Sequence, residues 1–150
     1  MVFSFSRPAA AGPGAACTHP STKLYPGDRL SKLRYGVVEF NFELCSGKPP
    51  ATWKATVGTK NVNRTGKGFG FSIEDAAISE TDGGYYYRFY EGQIQWKMCS
   101  PVGPVPGLCV TTGPFDIEFY AYDVDGRTYL AVTKMPADNP RNTLTLFKTP

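Results

Sequence analysis

Val38-Glu39-Phe40-Asn41-Phe42-Glu43-Leu44 alternates apolar and polar residues without a break. Successive side chains of a β-strand point to opposite faces, so Val38, Phe40, Phe42 and Leu44 share one face while Glu39, Asn41 and Glu43 share the other. One dry face and one wet face belong to an antiparallel sheet that packs on one side only. Pro49-Pro50 ends the run, because proline cannot donate to a β ladder.

The same period of two recurs downstream. Trp53, Ala55 and Val57 alternate with Lys54 and Thr56, and Phe69, Phe71 and Ile73 alternate with Gly70 and Ser72. Asp75 to Glu80 reads as one helical turn, and Thr81-Asp82-Gly83-Gly84 as a chain reversal. Tyr85 to Glu91 and Gln93 to Cys99 then form a hairpin about Glu91-Gly92, with Ile94, Trp96 and Met98 on its apolar face. Phe115, Ile117, Phe119 and Ala121 alternate with Asp116, Glu118, Tyr120 and Tyr122. Asp125-Gly126 is a favoured two-residue hairpin turn from which Tyr129 to Lys134 returns, and Leu144 and Leu146 mark a last strand. Residues 1–32 show no period and hold Pro8, Pro13, Pro20 and Pro26, so they read as an irregular N-terminal arm or the remnant of an export signal. The expectation is an all-β chain in which residues 33–150 form a single domain. That domain is an antiparallel β-sandwich or small barrel of about eight strands.

Composition agrees with this class. Charged residues are 19% of the chain and aromatics 14%, with 16 Gly and 13 Pro among 150 residues. Few charges and many Gly and Pro argue against a helix bundle, a coiled coil or a disordered acidic tail. No apolar run approaches the roughly 18 residues of a membrane-spanning helix. The net charge of +3 conceals a basic first half and an acidic second half. Lys48, Lys54, Lys60, Arg64 and Lys67 occur between Glu43 and Glu74 with no acid among them, a stretch suited either to a solvated loop or to an anionic partner.

Cys17, Cys45, Cys99 and Cys109 lack the paired spacing of a zinc site, and His19 is the sole histidine. Four cysteines in a chain rich in Gly and Pro suggest disulfides and a secreted or extracellular location, the alternative being free thiols in the cytoplasm. Sequence leaves three connectivities open. Cys99–Cys109 is favoured because it closes a short loop rich in Pro and Gly, which leaves Cys17–Cys45 to tie the arm to a strand end.

Lys67-Gly68-Phe69-Gly70-Phe71 resembles the central aromatic motif of RNA-recognition and cold-shock domains. The resemblance implies single-stranded nucleic-acid binding, with Phe69 and Phe71 stacking on bases and Lys60, Arg64 and Lys67 meeting phosphates. The flanks differ from both families, since residues 46–66 carry no helical stripe. Asp123-Val124-Asp125-Gly126 resembles the first half of a calcium loop, but Lys134 stands where the last carboxylate ligand belongs. No cofactor or metal is implied. One histidine in the arm and carboxylates too far apart along their strands give no credible catalytic constellation, so enzyme activity is not expected.

The tyrosines are the strongest functional hint. Phe115, Phe119, Tyr85, Tyr87 and Phe89 are expected to point inward and Tyr86, Arg88, Tyr90, Tyr120 and Tyr122 outward. Large rings with polar tips suit a binding surface. Asn63-Arg64-Thr65 is an N-glycosylation sequon in a polar loop. The leading expectation is a secreted binding protein that recognises a protein or glycan at a cell or host surface. The alternatives are a nucleic-acid binder and a structural virion or coat component.

Overall fold

A computed structural model of the protein describes residues 2–6, 16–99, 109–138 and 143–150. Among these are ten strands: β1 (Val2–Ser6), β2 (Ala16–Thr18), β3 (Ser21–Asp28), β4 (Gly36–Ser46), β5 (Lys54–Val62), β6 (Phe71–Gly83), β7 (Tyr87–Cys99), β8 (Cys109–Val124), β9 (Arg127–Lys134) and β10 (Leu144–Phe147). A short helix, α1 (Arg64–Gly68), lies between β5 and β6, and a 3-10 turn covers Pro50–Thr52. All strand pairs are antiparallel. One sheet runs β1-β9-β8-β7-β6, and the other runs β10-β3-β4 with β2 and β5 also paired to β4. The edge strands β5 and β6 lie side by side with no ladder between them. The architecture is therefore a sandwich and not a closed barrel.

The alternation in β4 sets its two faces as expected. Val38, Phe40, Phe42 and Leu44 are buried, while Glu39 and Glu43 take exposed partners at Lys23 (3.9 Å) and His19 (3.3 Å). The buried face meets Tyr90, Ile94, Trp96, Ile117, Phe119 and Leu130 of the opposite sheet. Phe119 is the hub, 5.3 Å from the Phe40 ring and 5.1 Å from Phe42. Each such ring contributes about 2–3 kcal/mol by leaving water. Gly92 makes the contact possible, since a Cβ there would lie 3.0 Å from both Phe119 and Phe40.

Four expectations change. The arm is not irregular where it is described, because β1, β2 and β3 all fall within residues 1–32. β2 and β3 keep one register along β4, from Ala16↔Ser46 through Ser21↔Asn41 to Leu24↔Val38, and are a single strand interrupted at His19-Pro20. The carbonyl of Pro20 still accepts from Phe42 N at 3.0 Å. Prolines hid this strand because they remove donors but leave acceptors. Secondly, Asp75 to Glu80 is not a helical turn; it lies in the middle of β6, which pairs with β7 along its length. Thirdly, Glu91-Gly92 is not a hairpin turn, since β7 passes straight through it. Lastly, Phe71 opens a strand but Phe69 does not, because Lys67 and Gly68 belong to α1 and Phe69-Gly70 to the turn that follows.

Other features stand as expected. Asp125 and Gly126 form the β8–β9 turn with φ of 51° and 76°, both positive as a type I′ turn requires. Disulfides join Cys17 to Cys45 and Cys99 to Cys109. Each links two residues directly opposite on neighbouring strands. The loop closed by Cys99–Cys109, Ser100 to Leu108, lies outside the described residues, as does most of the small-residue stretch before Cys17. Among the described residues no helix is long and apolar enough to cross a membrane.

Candidate recognition surface

Parity on β7, β8 and β9 builds the site. Ile117, Phe119 and Ala121 of β8 and Leu130 and Val132 of β9 are buried in the core, so Tyr120, Tyr122 and Tyr129 stand on the outer face of the sheet. On β7, Ile94 and Trp96 point inward, and counting back by twos places Gly92, Tyr90 and Arg88 on the same side. Tyr87, Phe89, Glu91 and Gln93 are therefore outside.

The outer rings form a continuous row. Tyr87 lies 6.0 Å from Tyr120, and Phe89 lies 4.7 Å from Tyr120. Tyr120 stacks on Tyr122 at 4.9 Å and 24°, and Tyr122 stacks on Tyr129 at 5.1 Å and 17°. All five are half-buried because each ring covers part of its neighbour. Rings stacked in this way stand upright on the sheet and present edges and hydroxyl tips to solvent. Further along the same face Glu91 sits opposite Glu118, and Gln93 opposite Asp116. The Gln93 amide bridges the carboxylates, donating to Glu91 Oε1 and Asp116 Oδ1 at 3.2 Å each. Thr133 donates to Glu118 Oε1 at 2.9 Å. A shallow cleft of about 220 Å³ lies here, lined by Thr81, Glu91, Asp116, Glu118 and Lys134. At the end of the sheet the β6–β7 turn exposes Tyr85 and Tyr86, 92% and 71% accessible, and Val124 at the end of β8 is exposed as well. The backbone of Asp123 donates to the Tyr86 carbonyl at 2.8 Å and ties the turn to that strand end.

The structure keeps Tyr86, Tyr120 and Tyr122 outside but removes two of the five residues expected there. Tyr90 is buried to 1% exposure, edge-on to Phe42 at 5.5 Å. Burial, followed by the nearby Glu80, pushes its hydroxyl pKa up to about 12. Arg88 turns the same way and pairs with Glu80. Tyr87 and Phe89, expected in the core, are on the surface instead. The shift is one residue, and its source is the assumed hairpin at Glu91-Gly92, which broke the parity that Ile94 and Trp96 carry through β7. Tyr129 was missed although the Asp125-Gly126 turn alone sets it opposite Tyr122.

The nucleic-acid pattern does not assemble as the resemblance implied. Phe71 is buried to 3% exposure, 5.4 Å from Tyr35 and 6.0 Å from Trp96. Phe69 is half exposed and leans on Tyr35 at 5.6 Å. Lys60, Arg64 and Lys67 are exposed on β5 and α1, so a basic edge with one ring remains. Gly70 serves the fold: its φ is 72°, and a Cβ there would lie 1.8 Å from the Cys99 carbonyl oxygen. Asn63 caps α1, accepting from Gly66 N at 2.8 Å while its amide donates to Arg34 O at 2.8 Å. Among the described residues no group of three His, Cys, Asp or Glu side chains is placed to hold a metal ion. No protein-family model matches the chain, and neither a curated protein nor a solved structure matches it.

Proposed function

We propose that the chain is an extracellular recognition protein that binds a glycan at a cell or host surface through the outer face of the β7-β8-β9 sheet. The observation that carries this reading is the row Tyr87–Tyr120–Tyr122–Tyr129, running into Glu91, Gln93, Asp116 and Glu118. Upright tyrosines offer hydroxyl tips, and the carboxylates and amide offer acceptors and donors, a density of polar partners that suits a chain of sugar hydroxyls. The exposed faces of Tyr85 and Tyr86 add flat apolar surface at one end of the strip. A protein partner is the second occupant of the same face, and its epitope would be basic to match the three carboxylates Glu91, Asp116 and Glu118. Both disulfides fit an oxidising compartment, and the same reading makes exposed Asn63 an acceptor for an N-linked glycan.

The test is a titration of immobilised oligosaccharides with the native protein and with Tyr120→Ser/Tyr122→Ser. Loss of a hydrogen-bonding ring pair should weaken binding about tenfold or more; the lost ring contacts lower the unfolding midpoint, and a native circular-dichroism spectrum at the assay temperature shows that the sheet is still folded. A native protein that binds no oligosaccharide, or a variant that binds as well as the native protein, would overturn the proposal. Binding only to lysine- and arginine-rich peptides would transfer the surface to a protein partner.

A further inference from the structure

The seam where β5 and β6 run side by side without pairing opens into a cleft of about 280 Å³. Trp53, Ala55 and Ile78 supply apolar walls, Lys54 stands at the mouth, and Tyr90 forms part of the lining from the core side. Tyr90 is 1% exposed, yet among the described residues its hydroxyl has no hydrogen-bond partner. A buried hydroxyl without a partner carries its full desolvation cost, so such a group points to something that completes it. Nearby Arg88 pairs with Glu80 through Nη2 and leaves its own Nε buried without a partner. The Arg88–Glu80 pair cancels its own charge and Lys54 stands in solvent at the mouth, so the floor offers no net positive charge to hold an anion.

We propose that the β5–β6 seam binds a small, neutral, largely apolar molecule whose single carbonyl oxygen accepts a hydrogen bond from the Tyr90 hydroxyl. The hydroxyl stays protonated across the physiological range, since burial holds its pKa near 12, and it therefore acts as donor. The apolar body of the ligand packs against Trp53, Ala55 and Ile78. This site is on the opposite side of β7 from the aromatic row and does not depend on it.

Three probes of matched shape separate the terms: acetophenone carries the acceptor, isopropylbenzene lacks it, and benzoate adds a negative charge. Binding is read from NMR shifts of the Trp53 indole N–H and the Ala55 and Ile78 amides. Acetophenone should bind in the millimolar range or better, several-fold to about tenfold more tightly than isopropylbenzene, and benzoate more weakly than acetophenone. Tyr90→Phe should erase the preference for acetophenone over isopropylbenzene and leave the Tm unchanged or raised, because it removes an unpaired group. Ala55→Leu, which fills the seam, should block both neutral probes. The proposal is overturned if no probe shifts these resonances, or if Tyr90→Phe keeps the acetophenone preference. It is equally overturned if Tyr90→Phe lowers the Tm while no probe binds, which would show that an internal water alone completes the hydroxyl.

Discussion

Gly70 illustrates how a single residue decides a local fold that its sequence motif suggests for another purpose. The chain leaves α1 and enters β6 there with a positive φ, and Cys99 N donates to the Gly70 carbonyl at 2.8 Å. Backbone lies on backbone, with no room for a side chain. Gly70→Ala should therefore cost about 2 kcal/mol or more, from a strained φ and a displaced β7 end. Gly68, helical and with open space where a Cβ would stand, is the control. Gly68→Ala should be neutral or stabilising by up to about 1 kcal/mol. Urea midpoints of the two variants decide the matter; equal shifts would remove the steric account. Asp28 makes a second residue-scale argument. Its carboxylate accepts from Ser31 and from the Thr143 hydroxyl, and these bonds hold its pKa below the ordinary 3.8. A depressed folded pKa means that its contribution is fully present above pH 3.8 and is lost as pH falls through the folded value. Asp28→Asn should thus be less stable than the native protein at about pH 7, and the gap should close in acid. A gap that persists at about pH 2 would show that the charge is not the cause. Asp28 is only half-buried, so solvent screening keeps the effect small.

At the scale of elements, legibility followed how far one pattern stayed unbroken. β4 and the inner face of β8 could be read from alternation alone, because each is dry on one side only. β7 could also have been read, from Ile94 and Trp96 backwards, but Gly92 looked like a turn. It is a glycine because two phenylalanine rings from opposite sheets meet over it, a tertiary reason that no local window contains. That one error moved Arg88 and Tyr90 into the expected site and left out Tyr87 and Phe89. The β2–β3 strand was hidden by its prolines, and the β5–β6 cleft arises from two edges distant in sequence, which no local pattern specifies. The favoured disulfide pairing is the one found, although the sequence left three connectivities open, and the bridges yield a test of what they do. Both link facing residues of paired strands, but Cys17 and Cys45 are 28 residues apart and Cys99 and Cys109 only 10. In the chain-entropy account each bridge is worth about 2–4 kcal/mol, and the longer loop adds about 1 kcal/mol over the shorter. Cys17→Ala/Cys45→Ala should therefore destabilise more than Cys99→Ala/Cys109→Ala in denaturant unfolding. The reverse order would assign the stabilisation to the folded strands rather than to the unfolded chain.

For the whole molecule, the division of charge along the chain does not map cleanly onto the sheets. The basic first half supplies β2, β3, β4 and β5 but also β1 of the other sheet, and the acidic second half supplies β6, β7, β8 and β9 but also β10. The two sheets are not held together by that charge. The pairs Lys23–Glu39, Arg88–Glu80 and Lys97–Glu74 each stay within one sheet. The contacts that cross between the layers include the rings of Phe40 and Phe42 against Phe119, Phe42 against Tyr90, and the buried Thr18–Thr128 hydroxyl bond at 2.6 Å. An apolar shared core predicts that neither sheet can unfold and leave the other intact. The two tryptophans report on the two layers separately. Trp53 is anchored to the β4–β5 layer through its Nε1 bond to Cys45 O at 2.9 Å, and Trp96 lies in β7 between Phe71 and Phe115. Trp53→Phe and Trp96→Phe each leave one fluorescent reporter. The urea transition seen by either reporter should coincide with the circular-dichroism transition of the same variant, at low and at high salt. Phe119→Ala, introduced into both, should move both reporters by the same amount, about 3–5 kcal/mol. Two separated transitions, or a Phe119→Ala shift seen by Trp96 alone, would mean that the layers are energetically independent. The β1-β9-β8-β7-β6 sheet would then be expected to survive loss of the other layer, whereas a shared core makes every mutation at Phe40 or Phe42 felt at the outer aromatic row as well.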